Sequence, residues 1–274
     1  MPTMAEKRAE FRRLHQSGCF VIPNPWDLGS MRYLESLGFQ ALATTSAGFA
    51  WSKGAADGGI TREMALAHFA ELAAASTLPL NADFEGGFAH APADVADSVR
   101  LCVETGVAGL SIEDYTGDMA HPLYDVDLAV ARIAAARRAI DESGADVLLT
   151  GRSEGLIRGR PDLDEAIQRL QAYSAAGADC LYAPGLATRE QIAAVVQAVA
   201  PKPVNVLIGT ASDLTVMDVE ALGGRRISVG GALARAAWGG FMRAAKEIAE
   251  AGSFKGLADA APGAEINTVL RRLG

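Results

Sequence analysis

Eight short apolar runs, each set apart from the next by a segment of helical period, constrain this chain more than any other feature. The runs cover 20–23, 41–46, 79–85, 108–114, 146–152, 179–184, 203–208 and 226–230. They are mostly apolar or small, often end in a polar residue, and lack the alternation of a half-wet sheet. Strands buried on both faces of a parallel sheet read this way. Helical patterns fill about 4–17, 27–38, 62–77, 92–105, 126–142, 162–176, 188–200, 213–222 and 231–251. Start signals stand at Thr61, Pro92, Asp162 with Asp164, and Thr188. Stop signals recur at Gly38, Gly106, Gly144 and Gly177, each just past a helix and just before a strand.

Eight strands alternating with at least eight helices predict an α/β protein, a (β/α)8 TIM barrel. A doubly wound open sheet fits less well. Its first unit would need a glycine cradle, and the chain runs Asn24-Pro25-Trp26-Asp27 there. A length of 274 residues suits one barrel, and 50% hydrophobic with 21% charged residues leaves material for a large core. With no linker or composition shift, residues 1–274 read as one domain. A helical extension over about 232–274 ends in an amphipathic segment, 266–273, expected to pack on the barrel or on a neighbouring subunit.

The 25 basic and 33 acidic residues give a net charge of −8. With no Lys/Arg run, nucleic acid and anionic lipid are not expected partners. Cys19, Cys102 and Cys180 are widely separated, which suits a reducing cytoplasm. MPTMAEKRAEF holds no apolar leader core, and no apolar run reaches the roughly 18 residues of a membrane span. Neither secretion nor a membrane is expected.

In a barrel the chemistry sits at the C-terminal ends of the strands. Asp83 and Glu85, two apart, are expected on one face of the third strand, and Glu113 ends the fourth. Carboxylates so crowded need a positive partner. Hard oxygen donors without nearby Cys or His suggest Mg²⁺ or Mn²⁺. The competing reading is salt bridging at the rim, for instance to Arg152. Arg152 ends the fifth strand and suits a substrate carboxylate, or pairs with Glu113 or Glu154. The Ser46-Ala47-Gly48 turn, after Thr44 and Thr45, offers a hydroxyl and backbone N–H groups to an anion. His15 and His68 lie in helix patterns and are expected on the surface, whereas His90 and His121 fall in loops on the active side. No HxH or HExxH spacing supports zinc, and Ser46 has no evident His–Asp partners. Gly209-Thr210 and Val229-Gly230-Gly231 offer a faint phosphosugar-site reading.

These residues together resemble the isocitrate lyase / phosphoenolpyruvate mutase superfamily over about 20–208. The family's D-x-D-x-G-[YF] metal motif is similar to Asp83-Phe84-Glu85-Gly86-Gly87-Phe88, with Glu for the second Asp. Its Glu-Asp pair matches Glu113-Asp114, its A-R-x-[ED] pattern Gly151-Arg152-Ser153-Glu154, and its S-G-G turn Ser46-Ala47-Gly48. A loop Asp and a strand-seven Asn match Asp57 and Asn205. The resemblance implies a Mg²⁺- or Mn²⁺-dependent enzyme that breaks a C–C or C–P bond of a small 2-oxo or 2-hydroxy carboxylic acid through an enolate. Asp83, Glu85, Glu113 and Asp57 would serve the metal. Thr44, Ser46, Ala47, Gly48, Arg152 and Asn205 would hold the substrate. The lyases' K-K-C-G-H loop motif is replaced by 115–124, which has neither Cys nor Lys. Tyr115, Asp118, His121 and Tyr124 are the proton-transfer groups left there, with Glu113 and Arg152 beside them. A divergent lyase, decarboxylase or hydrolase is therefore expected, with 115–124 as a mobile lid.

Three alternatives remain: a phosphoenolpyruvate mutase or phosphonopyruvate hydrolase-like activity, a phosphosugar-binding barrel, and a non-catalytic binding protein. The lysines, Lys7, Lys53, Lys202, Lys246 and Lys255, all fall outside the strands, which disfavours a Schiff-base aldolase. The 232–251 helix carries a broad apolar stripe through Trp238 and Phe241. Members of the superfamily exchange this helix between subunits, so the resemblance implies a homo-oligomer, a tetramer of helix-swapped dimers.

Overall fold

The strands observed are shorter than the apolar runs and lie in one parallel sheet. They are β1 (Phe20–Ile22), β2 (Leu42–Ala43), β3 (Leu80–Asp83), β4 (Gly109–Glu113), β5 (Leu148–Arg152), β6 (Cys180–Tyr182), β7 (Val204–Leu207) and β8 (Arg226–Ser228). The structure, a computed structural model, describes residues 1–272. Neighbours follow the order β1-β8-β7-β6-β5-β4-β3-β2, all parallel. The seam between β1 and β2 is bridged where the Ala43 backbone amide donates to Pro23 O (3.1 Å) and Asn24 Nδ2 to Thr44 O (2.9 Å). Asn24 Oδ1 also accepts from the Val229 and Gly230 amides, so one side chain stitches β1, β2 and β8 at their upper ends. The fold is a (β/α)8 barrel.

The helices are α1 (Met4–Leu14), α2 (Leu28–Ser36), α3 (Ser46–Ser52), α4 (Arg62–Ala75), α5 (Pro92–Glu104), α6 (Val126–Glu142), α7 (Leu163–Ala175), α8 (Arg189–Val199), α9 (Val216–Ala221), α10 (Ala232–Ala251) and α11 (Gly263–Arg272). The start signals act as anticipated. Thr61, Asp162 and Thr188 accept from the third helical amide, Thr188 with a reciprocal Gln191 contact, and Pro92 opens α5. All four punctuating glycines have positive φ. At Gly177, φ is +104°, and a Cβ would lie 2.6 Å from Arg137 Cγ, so both the turn and the packing require glycine.

Side-chain direction along β5 shows how the barrel separates its contents. Leu149 joins the layer between strands and helices, and a Cβ at Gly151 would meet Tyr173 Cβ at 2.9 Å. Leu148 instead joins the barrel interior, while Thr150 and Arg152 belong to buried polar networks. The lower interior is apolar: Phe20, Ile22, Ala41, Ala43, Leu148 and Cys180 pack against Phe11 and Leu14 of α1, which plugs the floor.

Two histidines expected at the surface are buried. His68 stacks on Phe49, with ring centroids 3.9 Å apart, and burial lowers its pKa to about 4. His15 caps α1 under the barrel. Its Nδ1 lies 2.7 Å from Phe11 O and its Nε2 3.2 Å from Arg226 Nη1. The arginine can only donate, so Nε2 accepts and Nδ1–H donates to the carbonyl. Burial, then the Arg226 charge, lower the His15 pKa to about 3 from its ordinary 6.5. The unfolded chain therefore binds a proton that the folded one refuses. Stability falls as pH drops from about 6.5 towards 3, by up to about 1.4 kcal/mol per unit. The stability deficit of His15→Asn at pH 7.5 should shrink by about 2 kcal/mol at pH 5 in urea titrations; parallel curves would remove His15 from the acid response.

After β8, α10 leaves the barrel with Ala234 as its one buried residue, and Trp238 and Phe241 are exposed. α11 returns to lie against α2. Leu273, the last residue of the amphipathic segment, lies outside the described residues. Among the described residues no helix is long and apolar enough to cross a membrane.

Candidate active site

Strand register builds a polar row inside the barrel. Glu113 pairs with Arg152, Arg152 with Tyr182, Tyr182 with Asn205, and Asn205 with Arg226. Because barrel strands are tilted, register partners descend from rim to floor. All five line one cavity of about 290 Å³, joined by Asp57, Asp83, Glu85 and Tyr115 at the upper end.

Arg152 lies at the centre. Its Nη1 donates to Asp83 Oδ1 (3.1 Å), and its Nε stands 3.4 Å from Glu113 Oε2 and contacts Glu154. Its guanidinium lies 5.0 Å from the Tyr182 ring centroid. Glu154 is fully buried and accepts from Arg158 Nε as well (3.0 Å). Arg158 in turn covers the Tyr115 ring at 4.0 Å. Asp114 faces outward: it accepts from the Glu154 amide, Tyr173 Oη and Arg169, so it fixes the strand-five loop.

Sequence placed Asp83 and Glu85 on one strand face, but β3 ends at Asp83. Glu85 reaches the cavity from a loop, with φ +49°, a left-handed conformation uncommon outside glycine. Phe88 shares it, at φ +55°. Arg132 of α6 holds this loop, its guanidinium donating to Gly86 O (2.5 Å), Ala89 O (2.7 Å) and His90 O (3.0 Å). The same guanidinium stacks on Tyr124 at 4.1 Å, and Tyr124 bonds His90.

The expected Ser46-Ala47-Gly48 turn is the first turn of α3, with Thr45 as its cap. The Ser46 amide and hydroxyl are both committed to Asp83 Oδ2, at 3.0 and 2.9 Å, and Thr44 Oγ1 accepts from the Asp83 amide. Thr44, Ser46 and Ala47 line the cavity. Gly48 does not: its amide donates to Thr45 Oγ1, and it is buried where a Cβ would lie 2.9 Å from Trp26 Cβ. His121 is likewise not brought in. Its side chain is 87% exposed and pairs with Asp118 outside the cavity.

Asn205 is held more firmly than its sequence suggested. Its Oδ1 accepts from Arg226 Nε (2.8 Å) and its Nδ2 donates to Ser228 Oγ (2.9 Å). Arg226 also donates to Thr150 Oγ1, and no carboxylate pairs with it among the described residues. Arg226, Arg158 and Tyr182 were not recognised as site residues. Register with Asn205 and Arg152 would have found two of them, had pairing been readable.

The electrostatics favour an added cation. Burial first, then Asp83 and Asp57, raise the Glu85 pKa to about 7. Asp57 shifts upward through partial burial and Asp83. Glu113 is raised well above the usual range by burial, against the pull of Arg152, with Glu154 and Asp83 adding to the rise. Glu85 Oε1 is buried without a hydrogen-bond partner among the described residues. An orphaned carboxylate oxygen among crowded carboxylates fits a hard divalent cation. No three acidic, His or Cys side chains enclose a metal by themselves among the described residues.

The sequence profile of the phosphoenolpyruvate phosphomutase family matches residues 11–249. A crystallised Burkholderia cenocepacia J2315 protein, described by class alone as a lyase/mutase, is 49% identical. It superposes with a TM-score of 0.94, over 98% of this chain and 97% of that one. Oxaloacetate decarboxylase of Paraburkholderia xenovorans (strain LB400) is 31% identical over 72% of this chain and 67% of its own. Oxaloacetate acetylhydrolase, solved with its product oxalate, is 25% identical with a TM-score of 0.87, covering 98% of this chain and 95% of that one.

Proposed function

Because this chain belongs to the isocitrate lyase / phosphoenolpyruvate mutase superfamily and is an enzyme, we propose that it cleaves a C–C bond of a small 2-oxo or 2-hydroxy carboxylic acid with the aid of Mg²⁺ or Mn²⁺. Members of the superfamily act on C–C or C–P bonds of small carboxylates and generally use a divalent metal. The observation that carries the reading is the Asp83–Arg152–Glu113 centre with the unpartnered Glu85 oxygen beside it.

Asp83, Glu85 and Asp57 would hold the cation, Glu113 standing behind them, and the cation would lend Lewis-acid stabilisation to the substrate oxygens. Arg152 orients the carboxylate and faces the C2 oxygen, where negative charge gathers as the bond to C3 breaks. Glu113, whose carboxyl burial pushes upward against the pull of Arg152, stands beside that centre as an acid–base group. Among the described residues of the 115–124 loop Tyr115 lines the cavity, which would put its hydroxyl within reach of a substrate. Ser46 and Thr44 keep Asp83 in place and line the cavity where the substrate would lie. No Cys or Lys lines the cavity among the described residues, which favours this acid set over a thiol or Schiff-base route. A panel of 2-oxo and 2-hydroxy acids with phosphonopyruvate, assayed with Mg²⁺ and with EDTA, tests the reading. Turnover that survives EDTA, or none on any carboxylate, would reject it.

The free, widely spaced cysteines support a cytoplasmic setting. The exposed Trp238–Phe241 pair supports a homo-oligomer, a tetramer built from helix-swapped dimers. Light scattering should report a dimer or tetramer that Trp238→Asp dissociates; a wild-type monomer of 28.5 kDa would contradict it.

A further inference from the structure

Arg226 is a buried cation at the cavity floor, and among the described residues no carboxylate pairs with it. Its guanidinium donates to three neutral acceptors instead: Asn205 Oδ1 (2.8 Å), Thr150 Oγ1 (3.1 Å) and His15 Nε2 (3.2 Å). A guanidinium accepts nothing, so the Asn205 atom that faces it can only be the oxygen. The amide nitrogen is thereby turned the other way and donates to Ser228 Oγ at 2.9 Å. Arg226 and Ser228 lie two apart on β8, on one face of the strand, with Ser228 nearer its upper end. The Asn205 oxygen therefore points to the barrel floor and its nitrogen towards the rim. An amide nitrogen carries two N–H donors, and Ser228 takes one. The other has no partner among the described residues, and Asn205 lines the cavity. Accepting from a cation also polarises the amide, which makes it a stronger donor at its other end.

We propose that Arg226 is a positioning residue for substrate binding: from the barrel floor it fixes the polarity of the Asn205 amide, so that a substrate carboxylate meets an N–H donor already aligned. The inference rests on the proposed function for the acid and adds the residue that orients its contact. Without Arg226 the two ends of the amide are free to exchange, since the Ser228 hydroxyl donates to an oxygen as readily as it accepts from a nitrogen. The cavity would then present a carbonyl oxygen, which repels an anion. Arg226 acts through Asn205 rather than by touching the acid. A purely structural Arg226, tying α1 to the barrel through His15, would leave binding indifferent to which end of Asn205 faces upward.

Calorimetric titration of oxalate in Mg²⁺ tests it. Arg226→Met, which keeps the apolar stem and removes the donors, should weaken oxalate binding about tenfold. In an Asn205→Ala background the same change should cost nothing further, to within about twofold. Asn205→Asp probes the same polarity with Arg226 in place, and keeps the test open if Arg226→Met does not fold. Its new carboxylate pairs with Arg226, so the urea midpoint should not fall, yet oxalate should bind about 100-fold more weakly because an anionic acceptor now faces it. An equal loss from Arg226→Met with and without Asn205, or oxalate bound by Asn205→Asp within about threefold of wild type, would overturn the positioning role and leave the proposed function standing. If the wild type binds no oxalate in Mg²⁺, the proposed function itself fails, and this role fails with it.

Discussion

Replacing Arg152 by methionine should lower kcat/KM on any accepted acid by on the order of 10³-fold, the loss typical of removing a preorganised charge from a developing oxyanion. The guanidinium touches Asp83, Glu113 and Glu154, two of them buried. Without it, the buried carboxylates are left uncompensated, at a cost of about 3–5 kcal/mol in stability at neutral pH. The cost should diminish on acidification as Glu113, pushed upward by burial, takes up a proton. Arg152→Lys should rescue little, because one ammonium cannot serve partners spread around a planar fork. Kinetics with urea unfolding at pH 5 and 7.5 check both parts. Activity within tenfold of wild type would show that Arg152 is only a rim salt bridge.

Arg132→Met should have the second largest effect, far from any expected substrate contact. Three part-buried backbone oxygens, those of Gly86, Ala89 and His90, lose the donors of a buried guanidinium. A fully buried orphan costs about 1–3 kcal/mol and a part-buried one less, so a total loss of about 2 kcal/mol is expected. The loop they secure holds Glu85 and Phe88 at positive φ, conformations that persist only where the surroundings impose them. Glu85 should then drift from the centre, and the Mg²⁺ concentration for half-maximal activity should rise even where the variant still folds. Unfolding within about 0.5 kcal/mol of wild type, with unchanged metal dependence, would show that the loop holds itself.

The difference between these two arginines shows what the sequence could disclose. Arg152 ends an apolar run, and barrel geometry sends such residues to the catalytic rim. Arg132 lies within a helical pattern as one more charged position, and nothing local tells that its guanidinium turns inward. His15 and His68 were misread as surface residues for the same reason. Their burial depends on the α1 plug and the Phe49 stack, contacts made across long sequence separations. Glycine punctuation and capping residues were legible because they act within one turn of chain. Glu85 lines the cavity by a route other than the expected one: it arrives through a left-handed loop, not along a strand. Gly48 and His121 followed motif and loop position, and both fall outside the cavity. Arg226 and Tyr182 belong to the row only through strand register, which a two- or three-residue strand does not reveal.

The most direct test of the account is calorimetric titration of oxalate, which mimics the planar enolate, into the protein with Mg²⁺, with EDTA, and into Asp83→Ala with Mg²⁺. The account predicts binding in the first case and none in the other two, with Asp83→Ala retaining the circular dichroism of the wild type. Oxalate binding undiminished by EDTA or by loss of Asp83 would contradict it.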